Sequence, residues 1–411
     1  MKKISHLQVF SAFASRNYTL YFFGRAVSQF GTWMQRTAVV WVVYSITHSA
    51  FMLGLTVFAE LFPSFLFSIP GGIAADRYNR YTIIKITQVT SMVQAVLLAV
   101  LVITGHAQVW VILVLSVLLG IINAFDIPAR QALVHDVVDS PADLPNALSL
   151  TTATASLAQL LGPALSGIVL SAFGAGVCFL LNAASFGGVI LSILFMKLPS
   201  YQPKTVQKHV WDEFVEGLIY VLNTPEIGLV ILMLALMSLL VIPYNTVLPV
   251  FAKVIFRGDA STFGYINSFV GIGAVTGTIF LASQKGGTHL KRILFVSALL
   301  LGAGLICFSQ INIFAAAMPF AALAGFGAIA QYTASSIIAQ SESAPAMRGR
   351  VIGILLMALF GMAPLGSLLV GAVSQQIGAP ATVLAQGIIA VIIALVFIRF
   401  LTRPVKKVDA D

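Results

Sequence analysis

The sequence predicts an all-α protein that crosses a lipid bilayer twelve times as two six-helix bundles, and three observations predict it. Hydrophobic residues make up 59% of the 411-residue chain and charged residues only 9%, against about 25% charged in a soluble domain. Apolar runs recur along the whole length instead of gathering into one core, and most exceed the roughly 20 residues that a helix needs to cross the hydrocarbon. Of the 23 Lys and Arg, only Lys253 and Arg257 fall on one side and only Arg25 and Arg36 lie inside the first apolar run; the rest occupy the tails, alternate loops and helix ends on the other side. By the positive-inside rule both termini face the cytoplasm. The net charge of +9 is therefore a topology signal and not a nucleic-acid footprint.

The elements follow in order. Lys2-Lys3 and the apolar stretch to Ala14 imitate a signal peptide, but Ser5, His6 and Gln8 interrupt it, so an amphipathic lead-in is expected. The first bundle, residues 1–198, is expected to hold spans at 18–45, 50–74, 82–103, 109–126, 145–172 and 176–198, with short outer turns that force neighbours antiparallel. Residues 199–225 read as a cytoplasmic linker in which Pro199, Pro203, Lys204 and Lys208 lead into an amphipathic helix at the membrane surface, anchored by Trp211 and Tyr220. The second bundle and a short cytoplasmic tail, residues 226–411, are expected to hold spans at 226–251, 262–283, 292–309, 312–338, 351–373 and 380–401. Gly162-Pro163-Ala164-Leu165-Ser166-Gly167 in the fifth span has a counterpart in Ala363-Pro364-Leu365-Gly366 in the eleventh. Such internal similarity predicts two bundles related by an axis along the membrane normal, with a site between them.

Charges inside the membrane are the strongest chemical clue. Arg36 lies 12 positions before His48, in the first outer turn, and Glu60 lies 12 after it. At about 1.5 Å per residue both sit roughly 18 Å from the turn, near mid-membrane, where an ionised group costs about 2.5–3.5 kcal/mol on insertion scales. Two readings stay open. Glu60 is a proton-responsive carboxylate with Arg36 as its partner or as a contact for a substrate anion; or the two form a permanent pair that braces the first two spans. Arg25 is expected to be structural, reaching the interface or pairing with a carboxylate there. Gln29, Gln35, Asn123, Asn182, Tyr244, Asn245, Asn267, Gln331 and Tyr332 are candidates for a wet central cavity, with interhelical hydrogen bonding as the alternative. Pro243 and Pro249 flank Tyr244 and Asn245 and predict a local helix break. Cys178 and Cys307, in separate spans, read as small buried hydrophobes, and no metal or cofactor is expected.

The turn after the second span reads Gly72-Ile73-Ala74-Ala75-Asp76-Arg77-Tyr78-Asn79-Arg80. It resembles the loop motif of the Major Facilitator Superfamily, Gly-x-Leu-Ala-Asp-Arg-x-Gly-Arg-Lys: Gly72, Asp76, Arg77 and Arg80 match, while Ala74, Asn79 and Tyr81 depart. Asn79 tolerates the left-handed conformation that Gly would supply. Gly24-Arg25 with Ser28-Gln29, Asp126-Ile127-Pro128-Ala129-Arg130-Gln131-Ala132, and Arg348-Gly349-Arg350-Val351 narrow the resemblance to the bacterial secretion-effector group, over about residues 10–403. That group includes enterobactin-type siderophore exporters and macrolide or multidrug efflux proteins. The resemblance implies a cytoplasmic gate drawn from Asp76, Arg77, Arg80, Asp126, Arg130, Arg348 and Arg350. A carboxylate among arginines at a helix end can latch one conformation, through Asp76 on Arg130 or Asp76 at the start of the eleventh span near Arg350; the alternative is that Arg77 and Arg80 only set topology. Gly162-Pro163 with Gly167 resembles the antiporter motif of export members, bending the helix or packing it tightly, and Gly273-x-x-x-Gly277 reads as a contact face.

No GxxxxGK[ST] phosphate loop is present, and no soluble domain is large enough to hold one. The expected function is secondary active transport in the bacterial inner membrane: proton-coupled export of a small amphipathic or siderophore-like molecule by alternating access. The expected partners are that substrate, protons and lipid, with the chain acting as a monomer. Import or lipid flipping on the same fold is the alternative. A non-transporting receptor or enzyme lacks support, since no HExxH, metal cluster or paired catalytic acids occur.

Overall fold

The computed structural model describes residues 8–196, 210–284 and 289–397. Outside the described residues lie Lys2, Lys3, Lys197, Lys204, Lys208, Lys285, Arg399, Arg403, Lys406 and Lys407, on which part of the topology reading rests, and the first part of the expected linker. A 3₁₀ turn, Gln8–Ala14, precedes α1 (Arg16–Thr47), α2 (Ala50–Leu66), α3 (Ser68–Arg77), α4 (Arg80–Ile103), α5 (Val109–Val137), α6 (Leu144–Phe173), α7 (Ala175–Leu194), α8 (Val210–Asn223) and α9 (Pro225–Leu240). A broken stretch follows: 3₁₀ at Ile242–Val247, one short turn α10 (Leu248–Val250), and a π turn at Phe251–Ile255. The chain then forms α11 (Ala260–Ala282), α12 (Leu290–Gln310), α13 (Phe314–Ser341), α14 (Arg348–Ile377) and α15 (Ala379–Val396).

Ten spans among the described residues are long and apolar enough to cross a bilayer, and α2 with α3 makes an eleventh. α1 falls outside that set by composition, since Arg16, Arg25 and Arg36 dilute it, but its 32 residues reach about 48 Å, beyond the hydrocarbon thickness. The expected single span at 50–74 is instead two helices meeting at 46°. Pro63 lies inside α2; proline has no N–H and crowds the carbonyl four residues earlier. The chain turns at Phe67, whose N–H still reaches the Pro63 carbonyl at 3.0 Å. The break expected around Pro243 and Pro249 is present as the 3₁₀ and π turns after α9.

Packing divides the chain into two units: residues 1–48, 59–207 and 259–265 in one, and 49–58, 208–258 and 266–411 in the other. In the first, α1 packs on α6 and α7, α4 on α5 and α7, and α3 on α5. Its core includes Tyr18, Tyr21, Ile84, Leu133, Val189 and Ile193. In the second, α12 packs on α13 and α15, and α14 on α9. The corresponding small-residue contacts recur: a Cβ on Gly162 would lie 2.5 Å from the Trp33 Cβ, and one on Gly366 would lie 2.2 Å from the Leu239 carbonyl oxygen. So α6 approaches α1 as α14 approaches α9. Within the first unit a Cβ on Gly167 would also crowd Gly264 at 3.0 Å. Gly174, after α6, and Gly378, after α14, have φ of 82° and 85° with extended ψ, a conformation essentially confined to glycine. Each reverses the chain straight into the next helix.

Two local expectations need correction. Asn79 is not left-handed: at φ −62° and ψ 110° it is the N-cap of α4, its side chain accepting from the Tyr81 N–H at 3.0 Å. Tyr220 on α8 is not a lipid anchor; it packs against a cluster containing Val221, Ile231 and Val351, and its hydroxyl accepts the Ala344 N–H at 3.1 Å. The exposed face of α8 carries Leu218, Ile219 and Leu222. The side chain of Trp211 is outside the described residues.

Gly273 and Gly353 provide a matched test of close packing. A Cβ on Gly273 would meet the Ala322 carbonyl oxygen at 1.8 Å, whereas one on Gly353 meets nothing within 4 Å. Gly273→Ala is expected to lower the thermal midpoint in detergent, with overpacking costing about 1–3 kcal/mol or more. Gly353→Ala is expected to hold or raise it, since alanine is favoured over glycine in a helix by about 1 kcal/mol.

Candidate functional site

The depth arithmetic for Arg36 and Glu60 begins at the turn between α1 and α2. His48 closes α1 in the left-handed conformation (φ 51°), its N–H bonded to the Tyr44 carbonyl, and α2 starts two residues later. Equal rises down the two helices bring the side chains together: Arg36 Nε donates to Glu60 Oε1 at 2.7 Å. The guanidinium also lies 5.4 Å from the centre of the Trp33 ring, a cation–π contact. Gly120 on α5 lets the Glu60 backbone in, since a Cβ there would sit 2.2 Å from the Glu60 carbonyl oxygen. The pair is not sealed: the Arg36 side chain is 32% exposed and that of Glu60 17%. Arg36 lines a cavity of about 230 Å³ within the first unit, together with Gln29, Gln35, Asn123, Asn182, Asp126 and Arg130.

Those neighbours divide by role. Gln35 is 2% exposed and sits in a chain of amides, with Asn182 Nδ2 donating to Gln35 Oε1 at 2.8 Å, Gln35 Nε2 to Gln94 Oε1 at 2.9 Å, and Gln94 Nε2 to the Leu115 carbonyl at 3.2 Å. That chain ties α7, α1, α4 and α5 together, each interhelical bond contributing on the order of 0.6 kcal/mol. Gln29 and Asn123 are half-buried along the cavity. In the second unit, Tyr244 and Gln331 are buried, and the Tyr244 hydroxyl and both amide atoms of Gln331 have no partner among the described residues. Asn245 is exposed on the 3₁₀ turn, and Tyr332 packs against an apolar cluster.

The charged groups of the sequence motifs have specific counterparts. The carboxylate on Arg130 is Asp126, one helical turn away on α5; Asp126 is 2% exposed and also accepts from Thr87 Oγ1 at 2.8 Å and Gln88 Nε2 at 3.0 Å. Arg80 joins α4 to the ends of α3 and α5, donating to the Ala75 carbonyl at 3.2 Å, the Ala132 carbonyl at 3.3 Å and Asp136 Oδ2 at 2.9 Å. Arg350 on α14 is held by α8, with Nη1 on Glu216 at 2.8 Å and Nη2 3.8 Å from Glu213. A Cβ on Gly217 would lie 2.9 Å from the Arg350 Cβ. Asp76, Arg77 and Arg348 are exposed. Arg25, expected to reach the interface or to pair with a carboxylate there, makes no ion pair among the described residues and lines the cavity.

Thr87, Gln88 and Asp136 carry no motif and were not legible as partners. A further cluster was missed: Lys291, 6% exposed at the start of α12, lies 3.6 Å from Glu226 at the start of α9. Glu226 in turn hydrogen-bonds Glu342 at the end of α13. An acid just after Pro225, in the first turn of a helix, was its one available signal.

The transmembrane secretion effector family matches residues 8–411. The staphyloferrin A transporter of Staphylococcus aureus (strain NCTC 8325 / PS 47) is 27% identical over 405 residues, covering 94% of this chain and 97% of the relative. The enterobactin exporter EntS of Escherichia coli O1:K1 / APEC is 23% identical over 405 residues, covering 95% of this chain and 94% of the relative. The fold is similar to that of a bacterial homologue of the human lysosomal transporter Spinster, in an inward-facing and unoccupied conformation, with a TM-score of 0.71 at 16% identity over 94% of this chain and 97% of that one.

The Glu226–Glu342–Lys291 cluster predicts a pH dependence. Burial, then the neighbouring Glu226 carboxylate, raise the Glu342 carboxyl above its ordinary value, with Lys291 pulling it partly back. A raised acid binds its proton more tightly folded than unfolded, so its stabilising contribution is full below the ordinary carboxylate range and is lost as pH rises through the raised value. Hydrogen–deuterium exchange, corrected for intrinsic rates, is expected to show protection at the start of α9 and the end of α13 declining over that window. Glu342→Gln is expected to flatten the profile, and a pH-independent wild type would contradict the assignment.

Proposed function

We propose a coupling mechanism from one premise: the chain belongs to the transmembrane secretion effector family of the Major Facilitator Superfamily, and is a multi-pass membrane transporter, not an enzyme. The proposed activity is proton-coupled export of a small amphipathic or siderophore-like molecule by alternating access across the bacterial inner membrane, with both termini cytoplasmic. The observation that carries it is the Arg36–Glu60 pair, an intramembrane ion pair that remains partly exposed beside a cavity.

A pair that only braced two helices could be replaced by well-packed apolar residues without loss of stability. Structural bracing in this unit is already supplied by the Gln35–Gln94–Asn182 chain. The Arg36 and Glu60 side chains are 32% and 17% exposed, and Arg36 lines the cavity. Protonation neutralises Glu60 and leaves Arg36 without its counter-ion. The penalty is smaller than the about 3–5 kcal/mol of breaking a sealed pair, because the guanidinium is partly exposed and lines a cavity, and it is large enough to bias two conformations. An incoming substrate and the proton thus act on one electrostatic balance, which is what exchange requires. Gln29, Gln35 and Asn123 in the first unit, and Tyr244, Asn245, Gln331 and Tyr332 in the second, are proposed as polar lining residues of their own units, with Gln35 in a positioning role. Asp76, Arg77, Arg80, Asp126, Arg130, Arg348 and Arg350 belong to the proposed gate, and Gly162, Pro163 and Gly167 to a separate helix-packing motif.

Inverted membrane vesicles with an imposed proton gradient provide the test. With siderophores and amphipathic drugs supplied in turn, the wild type is expected to release protons on addition of a transported compound, and Glu60→Gln to lose at least about tenfold of that release. Equal release by both proteins would reduce Glu60 to a structural residue. Release by neither, with every compound, would overturn proton coupling.

A further inference from the structure

The first unit holds a second concentration of charge that the Arg36–Glu60 pair leaves unused. Two cavities, of about 230 and 480 Å³, share Arg25, Gln29, Ile127, Arg130 and Ala155 along their walls. Cations outnumber acids in both linings: Arg25, Arg36 and Arg130 against Asp126 in the smaller, and Arg25 and Arg130 with no carboxylate in the larger. An excess of guanidinium along a cavity wall favours an anion there.

The two arginines differ in a useful way. Arg25 has no ion pair among the described residues. Arg130 is 11% exposed and paired with Asp126, yet its Nε is buried with no hydrogen-bond partner among the described residues. Asp126 does not depend on Arg130 for solvation: Thr87 and Gln88 both donate to its Oδ1 from α4, whereas Arg130 is on Oδ2. If the guanidinium turns toward the cavity, the carboxylate keeps two donors. Arg130 is therefore a cation with an exchangeable counter-ion, next to a cation that makes no ion pair of its own among the described residues and shares the field of Asp126.

We propose that the Arg25–Arg130 cavity binds the carboxylate head of an amphipathic small molecule, which shares or takes Arg130 from Asp126 and supplies the counter-ion of Arg25. The planar fork of arginine matches a carboxylate through two parallel N–H donors. Apolar surface for the body of the ligand is at hand in Trp33, Ile127 and Phe186. The site presupposes the transporter function proposed above and narrows its substrate to organic acids.

The test is equilibrium binding to the full-length protein in nanodiscs of zwitterionic lipid, without a proton gradient. Three probes of one shape are used: 2-naphthoate, 2-naphthylmethanol and 2-naphthylmethylammonium. The anion is expected to bind at least tenfold tighter than the alcohol, and the cation weakest. Arg25→Gln and Arg130→Gln are each expected to weaken naphthoate at least tenfold, Lys253→Gln not at all, and Asp126→Asn, which removes the internal competitor, to tighten it severalfold. The wild-type probe order is decisive even where a variant fails to fold, and equal binding of the three probes, or preference for the cation, would overturn the site. Repeating the titration in phosphatidylglycerol nanodiscs separates the source of the anion: unchanged naphthoate affinity supports a small-molecule site, whereas abolition assigns the arginines to lipid headgroups and overturns it. Glu60→Gln, which frees Arg36 on the same cavity, is expected to keep the probe order and to bind naphthoate at least as tightly as the wild type, so that loss of proton release in that variant and loss of this site are told apart.

Discussion

A charged side chain cannot be left alone in hydrocarbon, and the first unit is organised around that constraint. Arg25, Arg36 and Arg130 come from two helices of an apolar bundle, and among the described residues two carboxylates, Glu60 and Asp126, are paired with them. Insertion scales put each unpaired charge at about 2.5–3.5 kcal/mol at the helix centre. Each carboxylate is therefore placed by several elements. Glu60 depends on the two-residue turn that sets α1 and α2 at matching depth and on Gly120, which admits its backbone. Asp126 depends on Thr87 and Gln88 from α4. The excess of cation that remains lines a cavity, the place where a mobile anion or water can meet it.

Packing between apolar helices cannot come from exclusion of water when lipid surrounds them, so close backbone approach and interhelical hydrogen bonds carry more of the burden. The glycine contacts show this directly. Gly162 against Trp33 and Gly366 against Leu239 place α6 on α1 and α14 on α9 by the same device, and Gly174 and Gly378 end α6 and α14 with the same backbone conformation. These are physical remnants of a repeat whose side chains have otherwise diverged. The divergence has a functional consequence: the intramembrane charges of the first unit have no such counterpart along α9, where Tyr244 and the 3₁₀ and π turns stand instead.

Membrane character and most of the spans were legible in the sequence because hydrocarbon thickness imposes a length on every span, and family membership followed from local motifs. The Arg36–Glu60 contact was legible because a short turn converts sequence distance into depth. Facing is different, since it depends on which helix packs where. Thr87 and Gln88 on Asp126, Asp136 on Arg80, and Glu213 and Glu216 on Arg350 join residues tens of positions apart or more, and no local pattern marks them. Asn79 was misread because a cap and a left-handed turn favour the same residue, and Tyr220 because an amphipathic helix can bury its aromatic in protein as readily as in lipid. Pro63 was visible as a helix breaker, yet the 46° change of direction arises a turn beyond it and depends on the packing of α3 against α5.

The central claim is that Arg36 and Glu60 form a working pair whose two ends are not interchangeable. A charge swap, Arg36→Glu with Glu60→Arg, addresses it directly, with thermal stability and substrate-driven proton release measured on the single and double variants. The account predicts that each single change lowers stability, that the double variant recovers most of it by restoring opposite charges, and that proton release stays absent because the carboxylate now sits on the wrong helix. Recovery of both stability and proton release in the double variant would show a brace indifferent to orientation and would contradict the account.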